Sequence, residues 1–329
     1  MGLADNILNT IGNTPLVQLR RVVPVDCARI LVKVEGTNPT GSMKDRMAQA
    51  MIGAAEADGR LKHGDTVVEY SGGSTGASLA LVCSAKGYRL RVFSSDAFSE
   101  EKLVQMAAFG AELTILPSEK GLITKKLIQD MIAAAREASR EPGTYWTDQL
   151  NNPDMIPGYH PMGQEIWEQA GGHVDAFVHS VGTSASLQGA AAAIRGNKPD
   201  VRIVAVEPAE SPVLSGGEPG AHKMEGIGIG FTPPLWRSEA VDEILPVSTA
   251  EAEAMALRLA REEGLFGGTT SGGNVVAAIR IGQQLGARAT VATLSVDSGL
   301  RYLATYGAIV ADRIRRPSAS AAGFTSAKA

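Results

Sequence analysis

Residues 66–85 read TVVEYSGGSTGASLALVCSA, and this stretch decides the fold class. The β-branched run at 66–70 predicts a strand, the small residues at 71–76 predict a loop, and the Ala- and Leu-rich run at 77–85 predicts a helix. The same order of strand, loop and helix recurs along the chain. This alternation is typical of α/β proteins in which helices cover both faces of a parallel sheet.

Outward from this stretch, two groups of strands flank the turn-rich residues 151–162. Further strands are predicted at 30–35, 90–95, 112–116, 176–181, 202–207 and 290–295. Helices are predicted at 123–139, 188–195 and 275–285, and after a capping box formed by Ser248 and Glu251. We therefore expect two lobes, each a mostly parallel twisted sheet covered by helices. A Gly-rich stretch at 211–234 is expected to be irregular.

Composition narrows the class of protein. Of the 329 residues, 44% are hydrophobic and 20% are charged, which supports a sizeable core and excludes a mainly disordered chain. The formal charge of -4 leaves no excess of basic residues for binding nucleic acids. No apolar run is long enough to cross a bilayer, and residues 1–12 lack a signal-peptide pattern. We therefore expect a cytoplasmic protein whose partners include neither nucleic acids nor membranes.

Cysteines and histidines predict no metal site. Cys27 and Cys83 are the two cysteines, and neither belongs to a CxxC pair. The histidines form no HxxxH or HxH pair, so we expect them to fill core or surface positions.

Lys44 is the first candidate for chemistry. It lies in NPTGSMKDR, residues 38–46, where a Pro/Gly turn delivers one lysine to the start of a predicted helix. Backbone N–H groups and the helix dipole disfavour a second positive charge there, so this lysine can lose its proton more easily. A Schiff-base lysine is one interpretation, and an exposed turn lysine paired with a carboxylate is the other.

Three loops of small residues supply candidate anion sites. Residues 71–76 and 182–186 each follow a predicted strand and open a helix, and residues 267–274 precede a third helix. Unpaired N–H groups at such junctions bind anions, although many Gly/Ser turns serve only the fold. Because the carboxyl ends of parallel strands meet at one edge, we expect the loops to gather there. A nicotinamide enzyme is disfavoured because no GxGxxG motif occurs.

Together these motifs resemble the cysteine synthase family, pyridoxal-phosphate enzymes of the tryptophan-synthase-β fold type, or fold type II, which also includes cystathionine β-synthase. The resemblance covers roughly residues 5–310. It rests on IGNTPLV at 11–17, NPTGSMKDR at 38–46, the loops at 71–76 and 182–186, and GIGIGF at 226–231, all in the family's order.

The resemblance implies a role for each matching residue. Lys44 would be the catalytic residue that forms the internal aldimine and moves the substrate's α-proton, and Ser271 would bond the pyridine nitrogen. Cofactor binding is expected from Lys44, Ser74, Gly182, Thr183, Ser184, Ala185, Ser186, Ser271 and Asp297. Substrate binding is expected from Ser71, Gly72, Gly73, Ser74, Thr75, Gln149 and Gly228. No metal is expected.

The implied reaction is β-replacement on an activated L-serine through an α-aminoacrylate, with O-acetylserine and sulfide as the substrates of a cysteine synthase. A serine at the pyridine nitrogen cannot protonate it as an aspartate would, which favours loss of a β-leaving group. Three alternatives stay open. They are β-elimination of the cysteine desulfhydrase or serine deaminase type, β-replacement with another nucleophile, and a non-catalytic paralogue that binds an amino acid.

The predicted organisation has two lobes and a tail. Residues 1–38 with 152–315 would form the larger, cofactor-binding lobe, and residues 39–151 a smaller mobile lobe. Residues 316–329 are rich in small residues and are predicted to be disordered. A homodimer is expected from the resemblance alone.

The chain departs from the family's pattern at several positions. Ser74 stands where asparagine is usual, and Ser184 and Ala185 stand where paired glycines are usual. We therefore expect catalysis with altered cofactor tuning, and with a leaving group or nucleophile that can differ from the common one.

Overall fold

The computed structural model of the chain describes residues 3–121 and 123–310, so the tail predicted to be disordered at 316–329 lies outside the described residues. The strands, in chain order, are β1 (Leu16–Gln18), β2 (Arg29–Val34), β3 (Thr66–Tyr70), β4 (Arg89–Ser95), β5 (Glu112–Leu116), β6 (Thr144–Trp146), β7 (Ala176–Ser180), β8 (Arg202–Pro208), β9 (Glu243–Val247) and β10 (Thr290–Ser295). The helices are α1 (Lys44–Ala57), α2 (Ser74–Lys86), α3 (Glu100–Ala108), α4 (Lys125–Ala138), α5 (Met155–Gly158), α6 (His160–Gln169), α7 (Ala185–Asn197), α8 (Thr249–Arg258), α9 (Thr269–Leu285) and α10 (Leu303–Ile309).

Two sheets organise the chain. Six strands form one sheet in the order β1-β2-β10-β7-β8-β9, and four form the other in the order β5-β4-β3-β6. Every pairing is parallel except that of β1 with β2. The predicted α/β class with two mostly parallel, helix-covered sheets is therefore confirmed. The exact lobe boundaries stay a prediction.

The central strands are buried on both faces. Every residue of β3, β7 and β10 is buried, as expected for parallel strands that helices cover on both sides. One apolar cluster reaches from Met47 and Leu79 to Phe177, so helices beside the small sheet pack continuously with the large one. The site-bearing loops therefore rest on a packed frame.

Several local predictions are confirmed. The capping box of Ser248 and Glu251 begins α8, with the serine hydroxyl accepting from the Glu251 N–H. Residues 125–138 form the helix expected at 123–139. Residues 211–234 contain no strand and only a single 3-10 turn, Val213–Ser215.

Other predictions were wrong in detail. Residues 151–162 were expected to be turns, but they contain α5 and the start of α6. Strands β1, β6 and β9 were missed, and all three are edge strands with partly exposed residues. An edge strand has one partner, so its sequence pattern is weaker, and Pro246 within β9 is tolerated for the same reason.

Within the described ranges, no helix has both the length and the apolar content needed to span a membrane.

Candidate active site

Lys44 is the first residue of α1, as the turn before it predicts. The Met43 N–H donates to the Val296 carbonyl at 2.9 Å, and Ser42 forms an isolated bridge with Asp297. These bonds join the start of α1 to the chain leaving β10. Lys44 is half-buried, which disfavours the interpretation as an exposed turn lysine.

The surroundings of Lys44 favour its neutral amine. Burial lowers the pKa of Lys44 to about 8, although the negative charge of Asp297 acts in the opposite direction. Partial burial removes some of the hydration that stabilises the charged ammonium. More of the Lys44 amine is therefore unprotonated near neutral pH than for an ordinary lysine, which suits a nucleophile and base.

Beside Lys44, a buried ion-pair network anchors the first turn of α1. The Arg46 guanidinium donates to Glu35 at 2.7 and 2.9 Å and to Glu165 at 2.8 Å twice. Lys33 lies 2.6 Å from the same Glu165. Although burial opposes ionisation of Glu165, hydrogen bonds from Arg46 and Lys33 lower its pKa to about 2. The network fixes α1, and with it Lys44, against β2 and α6.

Ser271 lies in the first turn of α9 and is almost fully buried. The helix begins at Thr269 rather than in the predicted 275–285 range, so Ser271 is held by regular helix instead of a loop. Its hydroxyl oxygen accepts from the Val296 N–H at 3.1 Å and from the Ser295 hydroxyl at 3.4 Å. Because the Ser271 oxygen already accepts two hydrogen bonds, its own proton is free to be donated to a further acceptor.

Residues 182–186 form a cup at the start of α7. Ser184 adopts a left-handed conformation with φ of 75°, and Gln188 donates to its hydroxyl at 2.8 Å. A Cβ at Gly182 would lie 2.4 Å from the Gly226 carbonyl, so this position requires glycine. Within the described chain, the N–H groups of residues 185–187 donate to no protein acceptor. The cup therefore presents free donors to an anion.

The loop at 71–76 is the second candidate anion site and lies at the start of α2. This helix begins at Ser74 rather than at the predicted residue 77. The Ser71 hydroxyl accepts from the N–H groups of Gly73 at 3.1 Å and Gly76 at 2.9 Å, which fixes the loop. The Thr75 hydroxyl donates to Gln149 at 2.8 Å, as expected if both serve one ligand.

A charged cluster lies beside Lys44. Asp297 is buried, accepts from the Tyr302 hydroxyl, and leaves its Oδ1 without a partner among the described residues. Burial raises the pKa of Asp297. Lys102 is buried, pairs with Glu225, and lies 4.3 Å from the centre of the Tyr302 ring. Positive and negative side chains therefore lie together at the end of β10.

Arg301 connects the cluster to the loop at 71–76. Its guanidinium donates to the Thr40 carbonyl, to Gln105 at 2.6 Å and to the Ser74 hydroxyl at 3.3 Å. Ser74 is thus engaged from the large-sheet side of the molecule. The Gly228 N–H donates to the Val181 carbonyl at 3.3 Å, next to the cup.

These residues fit pyridoxal phosphate. The cup offers N–H donors to a phosphate, Ser271 offers a proton to an unprotonated ring nitrogen, and Lys44 offers a half-buried amine to an aldehyde. The orphaned Asp297 Oδ1 lies among these groups. The individual binding roles of the site residues stay predictions.

Sequence reasoning missed three buried side chains. Lys102 and Arg301 were given no role, although each contacts the site. His179 was expected to fill a core or surface position, yet its Nε2 lies 2.8 Å from the Ser186 hydroxyl of the cup. Its place on β7, three residues before the cup, is the signal that could have found it.

The fold and the site define a fold type II pyridoxal-phosphate enzyme. The family model described as pyridoxal-phosphate dependent enzyme matches residues 7–297, and the chain belongs to this family.

Particular relatives narrow the likeness further. The chain is 42% identical over 304 residues to a cysteine synthase of Staphylococcus aureus strain Mu50, covering 92% of this chain and 96% of the relative. The crystal structure of cysteine synthase from Entamoeba histolytica has a TM-score of 0.86 at 34% identity, covering 96% and 93% of the two chains. A hydrogen sulfide-producing enzyme from Fusobacterium nucleatum has a TM-score of 0.84 at 31% identity, covering 92% and 100%.

Proposed function

We propose that the chain is a pyridoxal-phosphate-dependent cysteine synthase, which replaces the acetoxy group of O-acetyl-L-serine with sulfide. The observation that carries this proposal is the meeting of Lys44 and Ser271 at one backbone segment. Val296 accepts from the N–H before Lys44 and donates to the Ser271 hydroxyl. A lysine amine and a neutral hydrogen-bond donor for a ring nitrogen are thereby held at the end of one strand, β10.

Bound pyridoxal phosphate supplies an electron-accepting ring that makes the α-proton of an attached amino acid acidic. Lys44 takes that proton at its Nζ as the Cβ–O bond breaks and acetate leaves. After the Cβ–S bond to sulfide forms, Lys44 returns the proton to Cα. The half-buried position and lowered pKa of Lys44 suit it to both transfers near neutral pH.

The loop at 71–76 orients the amino acid by its carboxylate. The α2 N-terminus and the hydroxyl-bearing loop offer donors to an anion, and Gln149 is held beside them by Thr75. An anion in this position would also sit at the positive end of the helix dipole. The loop therefore sets the direction in which the β-substituent points.

Ser271 keeps the ring nitrogen unprotonated, because a hydroxyl that already accepts two bonds can only donate. A weaker electron sink favours prompt loss of the β-leaving group. A single neutral side chain thus favours loss of the β-substituent, the step that replacement and elimination share, over reactions that need a long-lived carbanion.

The direct test is to supply the purified holoenzyme with O-acetyl-L-serine and sulfide and to quantify cysteine and pyruvate. We expect cysteine as the main product. O-phosphoserine with sulfide, and O-acetylserine with cyanide or an amine, are the comparison reactions. Absence of cysteine from the products of O-acetyl-L-serine and sulfide would contradict the proposal.

β-Elimination is the second candidate, favoured by the likeness to a hydrogen sulfide-producing enzyme. In that reaction water releases pyruvate and ammonia after the β-substituent leaves. Incubation with cysteine alone separates the two functions. Pyruvate and sulfide formed faster than cysteine is made in the replacement assay would favour elimination.

We further propose that the enzyme works as a homodimer in the cytoplasm, in keeping with the family resemblance. Light scattering after size exclusion should give twice the chain mass of 34.3 kDa. A mass of a single chain would contradict the dimer.

A further inference from the structure

His179 lies directly behind the phosphate cup and is fully buried on β7. Its Nε2 lies 2.8 Å from the hydroxyl oxygen of Ser186, and its Nδ1 lies 3.4 Å from the side-chain nitrogen of Asn274. The ring therefore joins the cup to a polar side chain of α9. Which nitrogen carries the proton decides the direction of both bonds.

Asn274 settles that direction. Its Oδ1 accepts from the Ser180 N–H at 2.9 Å, and its Nδ2 donates to the Leu294 carbonyl at 3.0 Å. Both partners are backbone groups with fixed polarity, so the amide cannot be turned over without losing two buried bonds. The side-chain nitrogen is therefore the atom that faces His179, and it has a second hydrogen to donate.

The tautomer of His179 follows. Because Asn274 donates to Nδ1, that nitrogen must accept, and the ring proton lies on Nε2. The Nε2–H then donates to the Ser186 oxygen, which leaves the Ser186 hydroxyl proton to point elsewhere. Burial lowers the pKa of His179 to about 3, with the charge of Lys44 acting in the same direction, so the ring stays neutral.

We propose that His179 is a positioning residue of the phosphate cup: through its Nε2–H it holds the Ser186 hydroxyl so that this hydroxyl donates to the phosphate of pyridoxal phosphate. This inference rests on the proposed assignment of residues 182–186 to that phosphate. The chain of donors runs in one direction, from Asn274 to His179 to Ser186 to the ligand. A hydroxyl that already accepts one buried bond is oriented to donate its own proton to an anion.

The first test reads the tautomer in the unmodified protein. Long-range proton–nitrogen correlation spectra of ¹⁵N-histidine-labelled holoenzyme report which ring nitrogen is protonated. The His179 signal is assigned by its loss in His179→Gln. We expect protonation at Nε2 alone across pH 6–8. Protonation at Nδ1, or a doubly protonated ring in this range, would overturn the proposal.

The second test measures cofactor affinity by equilibrium binding of pyridoxal phosphate to the stripped protein. We expect His179→Met and Ser186→Ala each to weaken binding by about tenfold, the effect of one lost hydrogen bond to a charged group. The double variant should be no weaker than Ser186→Ala alone, because His179 acts through that hydroxyl. Effects that multiply would show that the two residues act independently and would overturn the proposal.

Two further variants guard against a merely structural effect. His179→Gln keeps a side-chain N–H for Ser186 and should bind pyridoxal phosphate within about threefold of the wild type. His63→Met removes an exposed histidine and should leave binding unchanged. The ³¹P resonance of the bound cofactor should shift in His179→Met and Ser186→Ala but not in His63→Met. An unshifted resonance in the first two variants would contradict the assigned contact.

The outcomes separate this inference from the proposed function. A wild type that binds no pyridoxal phosphate would contradict the proposed function, whatever the tautomer of His179. A wild type that binds it normally, with affinity indifferent to His179 and Ser186, would contradict only the positioning role.

Discussion

The Thr75 hydroxyl donates to Gln149 Oε1 at 2.8 Å, which fixes the orientation of the glutamine amide beside the loop at 71–76. The same amide donates from Nε2 to the Tyr70 carbonyl at 2.8 Å. The second Nε2 hydrogen has no partner among the described residues. Gln149 can therefore offer that hydrogen to a carboxylate held at the start of α2.

Gln149→Leu tests this arrangement, because it keeps the size of the side chain and removes the amide. We expect the KM for O-acetylserine to rise about tenfold with a smaller change in kcat, since one hydrogen bond to a charged group is lost. Steady-state kinetics give both constants. Gln284→Leu, at an exposed site of α9, is the control. An unchanged KM in Gln149→Leu would remove Gln149 from the carboxylate site.

Ser271 offers a test of the ring-nitrogen contact. Ser271→Ala loses one neutral hydrogen bond of roughly 0.5–1.5 kcal/mol, so cofactor binding or turnover should fall modestly. Ser271→Asp would protonate the ring nitrogen and stabilise carbanionic species at the expense of β-chemistry. Absorbance spectra and rates of the two variants measure this. A Ser271→Asp variant with the spectrum and rate of the wild type would show that Ser271 does not contact the ring nitrogen.

Ser74→Asn examines the departure from the family's usual loop. Asparagine is longer than serine and would fill space beside the Arg301 guanidinium, which now donates to Ser74. We expect preference to move towards O-acetylserine over bulkier β-substituted serines. The measurement is the ratio of kcat/KM for the two substrates, with the exposed Ser84→Asn on the same helix as control. A constant ratio would mean that Ser74 has no part in substrate choice.

Arg46 and Arg60 form a matched pair for stability. Arg46 is buried among Glu35 and Glu165, whereas Arg60 is 42% exposed beside Asp58 and Asp154. Arg46→Met leaves Glu35 buried without its partner and should cost about 3–5 kcal/mol of unfolding free energy. Arg60→Met should cost less than about 1 kcal/mol. Urea unfolding curves of both variants measure the loss of unfolding free energy. Equal losses would contradict the assigned role of the network.

The sequence predicted the elements that carry strong local patterns. Strand β3 was predicted with its observed bounds, because Thr66–Tyr70 is a short β-branched run ended by a glycine-rich loop. Helix α8 was predicted because the side chains of Ser248 and Glu251 each accept a hydrogen bond from the other residue's backbone N–H. Such signals depend on neighbours in the chain, so they can be read without the fold.

Tertiary contacts decided what the sequence could not show. The first two residues of α2, α7 and α9 are Ser, Thr or Ala, which the local pattern favours as loop. In α9 the first turn is helical where Thr270 donates to the Glu225 carbonyl and Ser271 accepts from Val296. His179 escaped notice for the same reason, because both of its polar partners come from other elements.

The central claim is that Lys44 forms the covalent bond to the cofactor. Borohydride reduces the carbon–nitrogen double bond formed between a lysine amine and the cofactor aldehyde to a stable secondary amine, which peptide mass spectrometry then locates. We expect the added mass on Lys44 alone in the wild type. Lys44→Ala should carry no added mass and should lose turnover while keeping its fold by circular dichroism. Added mass on Lys33 or Lys102, the buried and ion-paired lysines, or an active Lys44→Ala would contradict the account.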